Sequence, residues 1–354
     1  MRKMSRKMKL MSGLISAAAA LTLITGCGSS AGAGAGSAPT TETAENAAQA
    51  VTEEAADGTH KMAYVVSTRD EYLGLLEGEV LDAAKKHNVD MEVFYAGNDA
   101  LKMIDCVEAA KSKGKEAVLI NLHASEEAQA CIEAAGDMKV VFVNREPSDY
   151  SVLNDNAVFV GSDEHTSGRA QGEYLADYFK SIGKTDVSYI LLRGTEGLVH
   201  TNLRSEEAIK AMEEAGLNLT EAAVVEGEYD RNTAKSEMDV VLPNLDFDCV
   251  ISNNDAMALG ALLAMNDAGI EPGSVPVVGI DATEDGRNAI RSGEMAMTVF
   301  QSAKGQAEGS VVAAVNMLEG KSLDEGTGCE VSETNANVLF FPFIPVTAEN
   351  VDDI

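Results

Sequence analysis

From position 60 onward the chain switches hydrophobic period again and again, from short β-branched runs to amphipathic stretches and back. Few folds accept such a pattern, because strand and helix in strict turn require crossover connections and therefore a parallel sheet covered by helices. "MAYVV" precedes a helical pattern over 72–86, "MEVFYA" one that runs to Lys113, and "AVLINL" one that runs to Ala135; "KVVFVN" then closes the series. A second series opens with "AVFVGSD". It predicts helix over 167–181, strand "VSYILL", helix over 202–215, strand "AAVVEG", helix over 233–242, strand "DCVIS", helix over 256–268 and strand "PVVGI". The expectation is an α/β protein of two comparable Rossmann-like lobes in tandem.

In open sheets of this kind, ligands gather beyond the carboxyl ends of the strands. Polar residues fall at those ends here: Asp70 and Tyr72 after the first strand, Asn144 and Arg145 after "VVFV", Asn254 and Asp255 after "CVIS", Asp281 after "VVGI", and Gln301 after "MTVF". Taken singly, Asn and Asp are ordinary turn and cap residues. Their joint appearance at successive strand ends points instead to a small-molecule site between lobes. Asn254 reads as a group that bonds hydroxyls, and Asp255 as a cap of the helix that follows. The Met and Leu pattern of "DAMALGALLAM" reads as core packing.

The first 26 residues carry five cations and no anion, followed by a short apolar run too brief for a spanning helix. Leu23-Ile24-Thr25-Gly26-Cys27 looks like a bacterial lipobox, with Cys27 as the lipidated first residue of the mature protein; a plain secretory signal is the alternative. Residues 27–59 are small, polar or acidic, with too little apolar surface to offset the entropy of ordering them. They read as a tether, which leaves about 290 residues to fold, enough for two lobes. The net charge of −30 becomes about −35 once the signal is removed, a surface that repels nucleic acid and anionic headgroups. Of the four later cysteines, Cys106, Cys131, Cys249 and Cys329, none forms a close-spaced pair, so metal and redox motifs are absent from the sequence; whether Cys106 and Cys131 meet is left open.

"VVFVNREP", "AVFVGSDEHTSG", "VISNNDAMALGA", "VVGIDA" and "SGEMAMTVFQ" follow one another in an order that resembles the periplasmic sugar-binding proteins of the galactose/glucose and ribose group, solute receptors of ABC importers. The likeness runs from about 60 to 346. It implies the type I periplasmic-binding-protein fold: a first lobe over 60–161 and 303–340, a second over 162–302 and 341–354, and three hinge crossings near Gly161–Asp163, after Gln301 and in "FFPFIPVT". It also implies ligand contacts. Asp70 and Tyr72 stand where the family has an acid and an aromatic, and Asn144 with Arg145 where it has an amide or acid beside a cation. Arg204 matches the arginine that grips ring oxygen and hydroxyls, and Tyr229 matches the second stacking aromatic. Asn254, Asp281 and Gln301 complete the set, the glutamine being the ribose-like choice.

One place departs from the galactose pattern. "GTEGLVHTNLR" puts Leu198 and His200 where galactose binders carry a histidine and an aspartate. Tyr229 also fits a half-buried core or rim residue, and His200 a solvated helix cap. No counterpart of the family's calcium loop occurs in "FKSIGKTDVSYI", so no metal and no cofactor is expected.

These residue types suit a sugar, whose apolar face lies on aromatic walls while its hydroxyls meet planar polar groups and charge-assisted partners. The expectation is an extracytoplasmic, lipid-anchored, monomeric substrate-binding protein that passes a monosaccharide to ABC permease subunits, touching the membrane only through its lipid. A sensing protein that shows its ligand to a membrane receptor would have the same pocket. An enzyme lacks its parts here: no G-x-S-x-G elbow between a strand and a helix, no H-E-x-x-H, no P-loop and no C-x-x-C occurs. A sugar-responsive repressor is excluded by the export signal and the missing helix-turn-helix, and no nucleic-acid partner is expected.

Overall fold

The computed structural model describes residues 59–354. The predicted signal over 1–26, Cys27 and nearly all of the predicted tether lie outside the described residues.

The chain opens as three strand–helix units followed by two strands. They are β1 (His60–Val66), α1 (Glu71–Lys86), β2 (Val89–Tyr95), α2 (Ala100–Ser112), β3 (Ala117–Ile120), α3 (Ala128–Ala135), β4 (Lys139–Val143) and β5 (Ala157–Gly161). The second run consists of α4 (Glu164–Ser181), β6 (Asp186–Arg193), α5 (Val199–Glu214), β7 (Asn218–Glu226), α6 (Arg231–Val241), β8 (Cys249–Ser252), α7 (Asp255–Asp267), β9 (Val277–Val278), α8 (Glu284–Ser292) and β10 (Thr298–Phe300). Then come α9 (Ala303–Glu319), β11 (Glu330–Val331), β12 (Val338–Phe340) and β13 (Ile344–Val346).

Two sheets result. The first has the order β11-β12-β5-β4-β3-β1-β2, parallel throughout except where β11 meets β12. The second has the parallel order β7-β6-β8-β9; single bridges from Val278 to Met297 and from Asp281 to Phe300 carry it on to β10, which pairs antiparallel with β13. Both are doubly covered, which is why their central strands are uniformly apolar rather than alternating. In the first lobe α1 and α9 pack Tyr64, Leu76, Val141 and Val311 on one face, while α2 and α3 enclose Met103, Ile120 and Phe142 on the other. In the second, Leu175, Phe179 and Ile251 fill the α4–α5 side, and Met238, Val250 and Ile290 the opposite side. The chain crosses between lobes three times, from β5 to α4, from β10 to α9, and from β12 to β13.

Helices begin where capping chemistry allows. Asp70, Asp99, Asp163 and Asp230 each accept a backbone amide at the start of α1, α2, α4 and α6. The periodic patterns therefore start one to three residues late at α1, α4, α5, α6 and α7, because the first turn is polar. Helices α8 and α9 were not expected. The former is a nine-residue amphipathic segment whose buried face is only Gly286, Ala289 and Ile290, too little apolar sequence to stand out, and the latter is buried on most sides, with Gly305 and Gly309 in its interior, so it shows no clean 3.6-residue stripe. The four described cysteines are all free, so Cys106 and Cys131 are not joined.

Helices α4 and α5 approach at backbone distance. A Cβ on Gly168 would stand 2.2 Å from the carbonyl oxygen of Arg204, and one on Gly172 2.2 Å from that of Ala208. Gly172→Ala is therefore expected to push the helices apart and to lower stability by about 1–3 kcal/mol, read as a lower urea midpoint at unchanged slope; an unchanged midpoint would show that the contact can relax freely.

Candidate functional site

At the carboxyl ends of the strands, between the lobes, lies a small cavity. It is lined by Asp70, Tyr72, Leu73, Asn144 and Arg145 from the first lobe and by His200, Arg204, Tyr229, Asn254, Asp281 and Gln301 from the second lobe and its crossing. All ten residues singled out in the sequence are thus brought together. Leu73, one residue past Tyr72, was not singled out, since nothing in the pattern separates it from core.

The first-lobe side rests on a buried polar lattice. Arg145 donates from Nη1 to Ser67 Oγ at 2.9 Å and to the Leu122 carbonyl at 3.0 Å, and its Nη2 stands 3.9 Å from Asp70 Oδ2. Asn144 is held between Asn121 and Gln306, each at 3.3 Å. Burial raises the Asp70 carboxyl above its usual range against the pull of Arg145, and burial lowers Arg145. Asp70 Oδ1 also accepts the Leu73 amide at 2.7 Å, so one residue both caps α1 and faces the cavity.

On the second-lobe side the strongest donor is not free. Arg204 makes a fork with Glu164, Nε to Oε2 at 2.7 Å and Nη2 to Oε1 at 2.6 Å, and donates from Nη1 to the Asn253 carbonyl at 2.8 Å. Of five guanidinium N–H groups, three are spent, which leaves one on each Nη for a ligand. Burial alone would lower its pKa, but the Glu164 carboxylate outweighs that and raises it. Glu164 is 3 % exposed and Arg204 4 %. Glu164 lies within "GSDEHTSG", but an acid in the first turn of a helix reads equally well as a dipole partner, so the sequence hides its role.

His200 stacks on Tyr229 at 5.4 Å between ring centroids with 29° between planes. Burial, reinforced by Arg204 and Arg145, holds its pKa well below the usual imidazole range, so it stays neutral. Tyr229 Oη meets Thr201 Oγ1 at 2.7 Å, and its ring stands so close over Gly194 that any Cβ there would lie 2.0 Å from it. Leu198 is fully buried in the second-lobe core and absent from the cavity wall. Helix α5, which carries His200 and Arg204, has no side-chain cap of its own at Leu198. Its Val199 amide donates instead to Ser125 Oγ of the first lobe at 3.1 Å, and the Ser125 amide to the Gly197 carbonyl at 3.2 Å.

The reading of Asn254 and Asp255 needs correcting. Asn254 is the cap of α7, its Oδ1 accepting the Met257 amide at 3.0 Å, and it also lines the cavity. Asp255 is fully buried and holds the loop around Asp281, accepting from the Thr283 amide at 2.8 Å and from Thr298 Oγ1 at 2.6 Å. Either residue type can cap a helix, and only the register in space separates them.

Three further marks set the cavity apart. Three of the six buried polar side-chain atoms without a partner among the described residues are Tyr72 Oη, His200 Nδ1 and Gln301 Nε2, all in cavity-lining residues. The Asp281 carboxylate accepts no hydrogen bond from any described residue, and burial, opposed by Arg204, raises its pKa well above the carboxylate range. Asn144, Tyr229 and Asp281 have φ of 68°, 60° and 118°, conformations that cost non-glycine residues of order 1–3 kcal/mol each and gather at functional sites.

Fold and cavity together define a bilobal α/β protein with an enclosed site between its lobes. The family model described as "Periplasmic binding protein domain" matches residues 62–322. The D-galactose/methyl-galactoside binding periplasmic protein of Haemophilus influenzae is 31 % identical over 261 residues, 70 % of this chain and 77 % of the relative. A putative rhizopine-binding protein of Rhizobium meliloti is 27 % identical over 290 residues, 80 % of this chain and 88 % of the relative. An ABC transporter solute binding protein from Bacillus halodurans, solved with bound myo-inositol, superposes with a TM-score of 0.72 at 27 % identity, covering 84 % of this chain and 97 % of that one. The chain belongs to the periplasmic binding protein family and has its type I fold.

Removal of one partner of a buried ion pair strands the other's charge. Glu164→Ala is expected to cost about 3–5 kcal/mol of folding stability, measured by chemical denaturation; a loss below that of an ordinary surface substitution would show that Arg204 finds another counter-charge.

Proposed function

We infer that the protein is an extracytoplasmic solute-binding component of an ABC importer, which encloses one neutral monosaccharide or cyclic polyol between its lobes. The observation that carries this reading is the convergence of Tyr72 Oη, His200 Nδ1, Gln301 Nε2 and the Asp281 carboxylate, all without partners, in one small cavity. Buried polar groups left unpaired are costly, and a ring bearing hydroxyls, each both donor and acceptor, satisfies all four at once. The neutral imidazole, the spent fork of Arg204 and the Asp70–Arg145 contact leave no surplus cation for an anionic ligand. The names of the relatives fit, since they include binders of D-galactose and ribose, and the myo-inositol complex adds a cyclitol.

Ten side chains from both lobes share the ligand, so binding favours the closed arrangement by the affinity it gains there. The three crossings are the hinge, and the two lobes, once closed, present one continuous edge to the permease. No bond in the ligand is made or broken. Cys27, diacylated on its thiol before the signal is cleaved, holds the protein at the membrane.

A thermal-shift panel of D-galactose, D-glucose, D-ribose and myo-inositol on the full-length protein tests the ligand class. Saturation at a hundred times Kd is expected to add about 2.7 kcal/mol, and a panel without any shift defeats the reading. Asp281→Asn is the cleanest site variant because the Asp281 side chain makes no hydrogen bond with any described residue; replacing one carboxyl oxygen by an amide NH2 should weaken binding at least about tenfold while the melting temperature of the free protein holds. Cys27→Ala should release the protein from the membrane fraction with sugar affinity unchanged, and retention on membranes would remove the anchor.

A further inference from the structure

We propose that Glu71 and Arg231 form a gate beside the ligand slot, a positioning pair that keeps the lobes together and slows the escape of the ligand; this rests on the binding role inferred above for the same cleft. Each partner sits next to an aromatic wall. Glu71, the first residue of α1, lies between Asp70 and Tyr72, and Arg231, the first residue of α6, lies two residues beyond Tyr229. Across the lobes their side chains meet as a two-pronged fork, Nε to Oε1 at 2.9 Å and Nη2 to Oε2 at 2.7 Å. Among the described residues no other ion pair joins the two lobes.

The pair is built to be made and broken. Arg231 Nη2 also donates to Asp285 Oδ2, on α8 of its own lobe, at 2.9 Å. If the lobes part, Arg231 keeps a carboxylate partner at hand, and Glu71 keeps the favourable end of the α1 dipole. Neither charge is stranded. The side chains are 26 % exposed for Arg231, 41 % for Glu71 and 61 % for Asp285, so water and salt reach the contact and its strength is modest and screened. Such a contact is strong enough to bias a hinge and weak enough to let it reopen. Because the gate residues share short segments with Tyr72 and Tyr229, engaging the fork also sets the spacing of the two rings that would hold the ligand.

Small-angle X-ray scattering of the ligand-free, full-length protein reads the gate without any ligand. E71Q, a substitution at a partly exposed position, is expected to enlarge the radius of gyration relative to the unaltered protein at about 20 mM salt and to match it at about 1 M, where the Debye length falls to about 3 Å. D285N, which removes only the same-lobe partner, should show no enlargement. Identical E71Q and unaltered profiles at low salt, or an enlargement equal at both salt concentrations, would overturn the gate. With D-galactose and myo-inositol as probes, release from E71Q should be about two- to fivefold faster. If neither probe binds the unaltered protein, the ligand class is what has failed, and the scattering comparison still decides the gate.

Discussion

A guanidinium taken out of water must be answered by a carboxylate, and the fork between Arg204 and Glu164 is where this structure meets that demand. Glu164 is the first residue of α4, immediately after the chain's first crossing between lobes, and Arg204 lies on α5. The two helices come close enough because Gly168 presents no side chain to the Arg204 carbonyl. The third prong, to the carbonyl of Asn253, ties the same guanidinium to the end of β8. Hinge, helix pair and strand end are thereby referenced to one planar group. The orientation of the two N–H groups left for a ligand follows from contacts that the protein makes with itself.

The fold was legible because parallel sheets impose a conspicuous alternation of periods, and β1 to β9 each overlap a run that the sequence marks as apolar, although β7 begins four residues earlier, at Asn218. What escaped was α9, buried on most sides and so without a stripe, and α8, whose stripe is only Gly286, Ala289 and Ile290 in a short polar segment. For the cavity, polar residues just past apolar strands led to the right loops, since only there does the chain turn toward the gap between lobes. Side-chain assignments within those loops were harder. Asn254 and Asp255 differ by one residue and share a capping chemistry, so their division into helix cap and loop brace depends on geometry. Glu164 carried an acid's ordinary helix-start signature, and Ser125 carried no signature at all.

The electrostatics of the cavity run against simple charge counting. A protein with a formal net charge of −30 places two arginines and a histidine at the site, yet little of that positive charge is on offer. One arginine is engaged by an internal acid, the other is spread over a hydroxyl, a carbonyl and Asp70, and the imidazole is kept from ionising by burial, with help from the two arginines. His200 therefore brings hydrogen-bonding capacity to the cavity without carrying a charge. Selection among neutral rings would then depend on which hydroxyls point at donors and which at acceptors.

Helix α5 has its leading amide completed by a hydroxyl from across the cleft, since Val199 donates to Ser125 and Leu198 supplies nothing. That amide has a protein acceptor only while the two lobes touch, and hands its proton to water otherwise. The backbone of residue 199 is thus a native sensor of lobe separation, and its deuterium uptake would time each opening without any probe attached to the molecule.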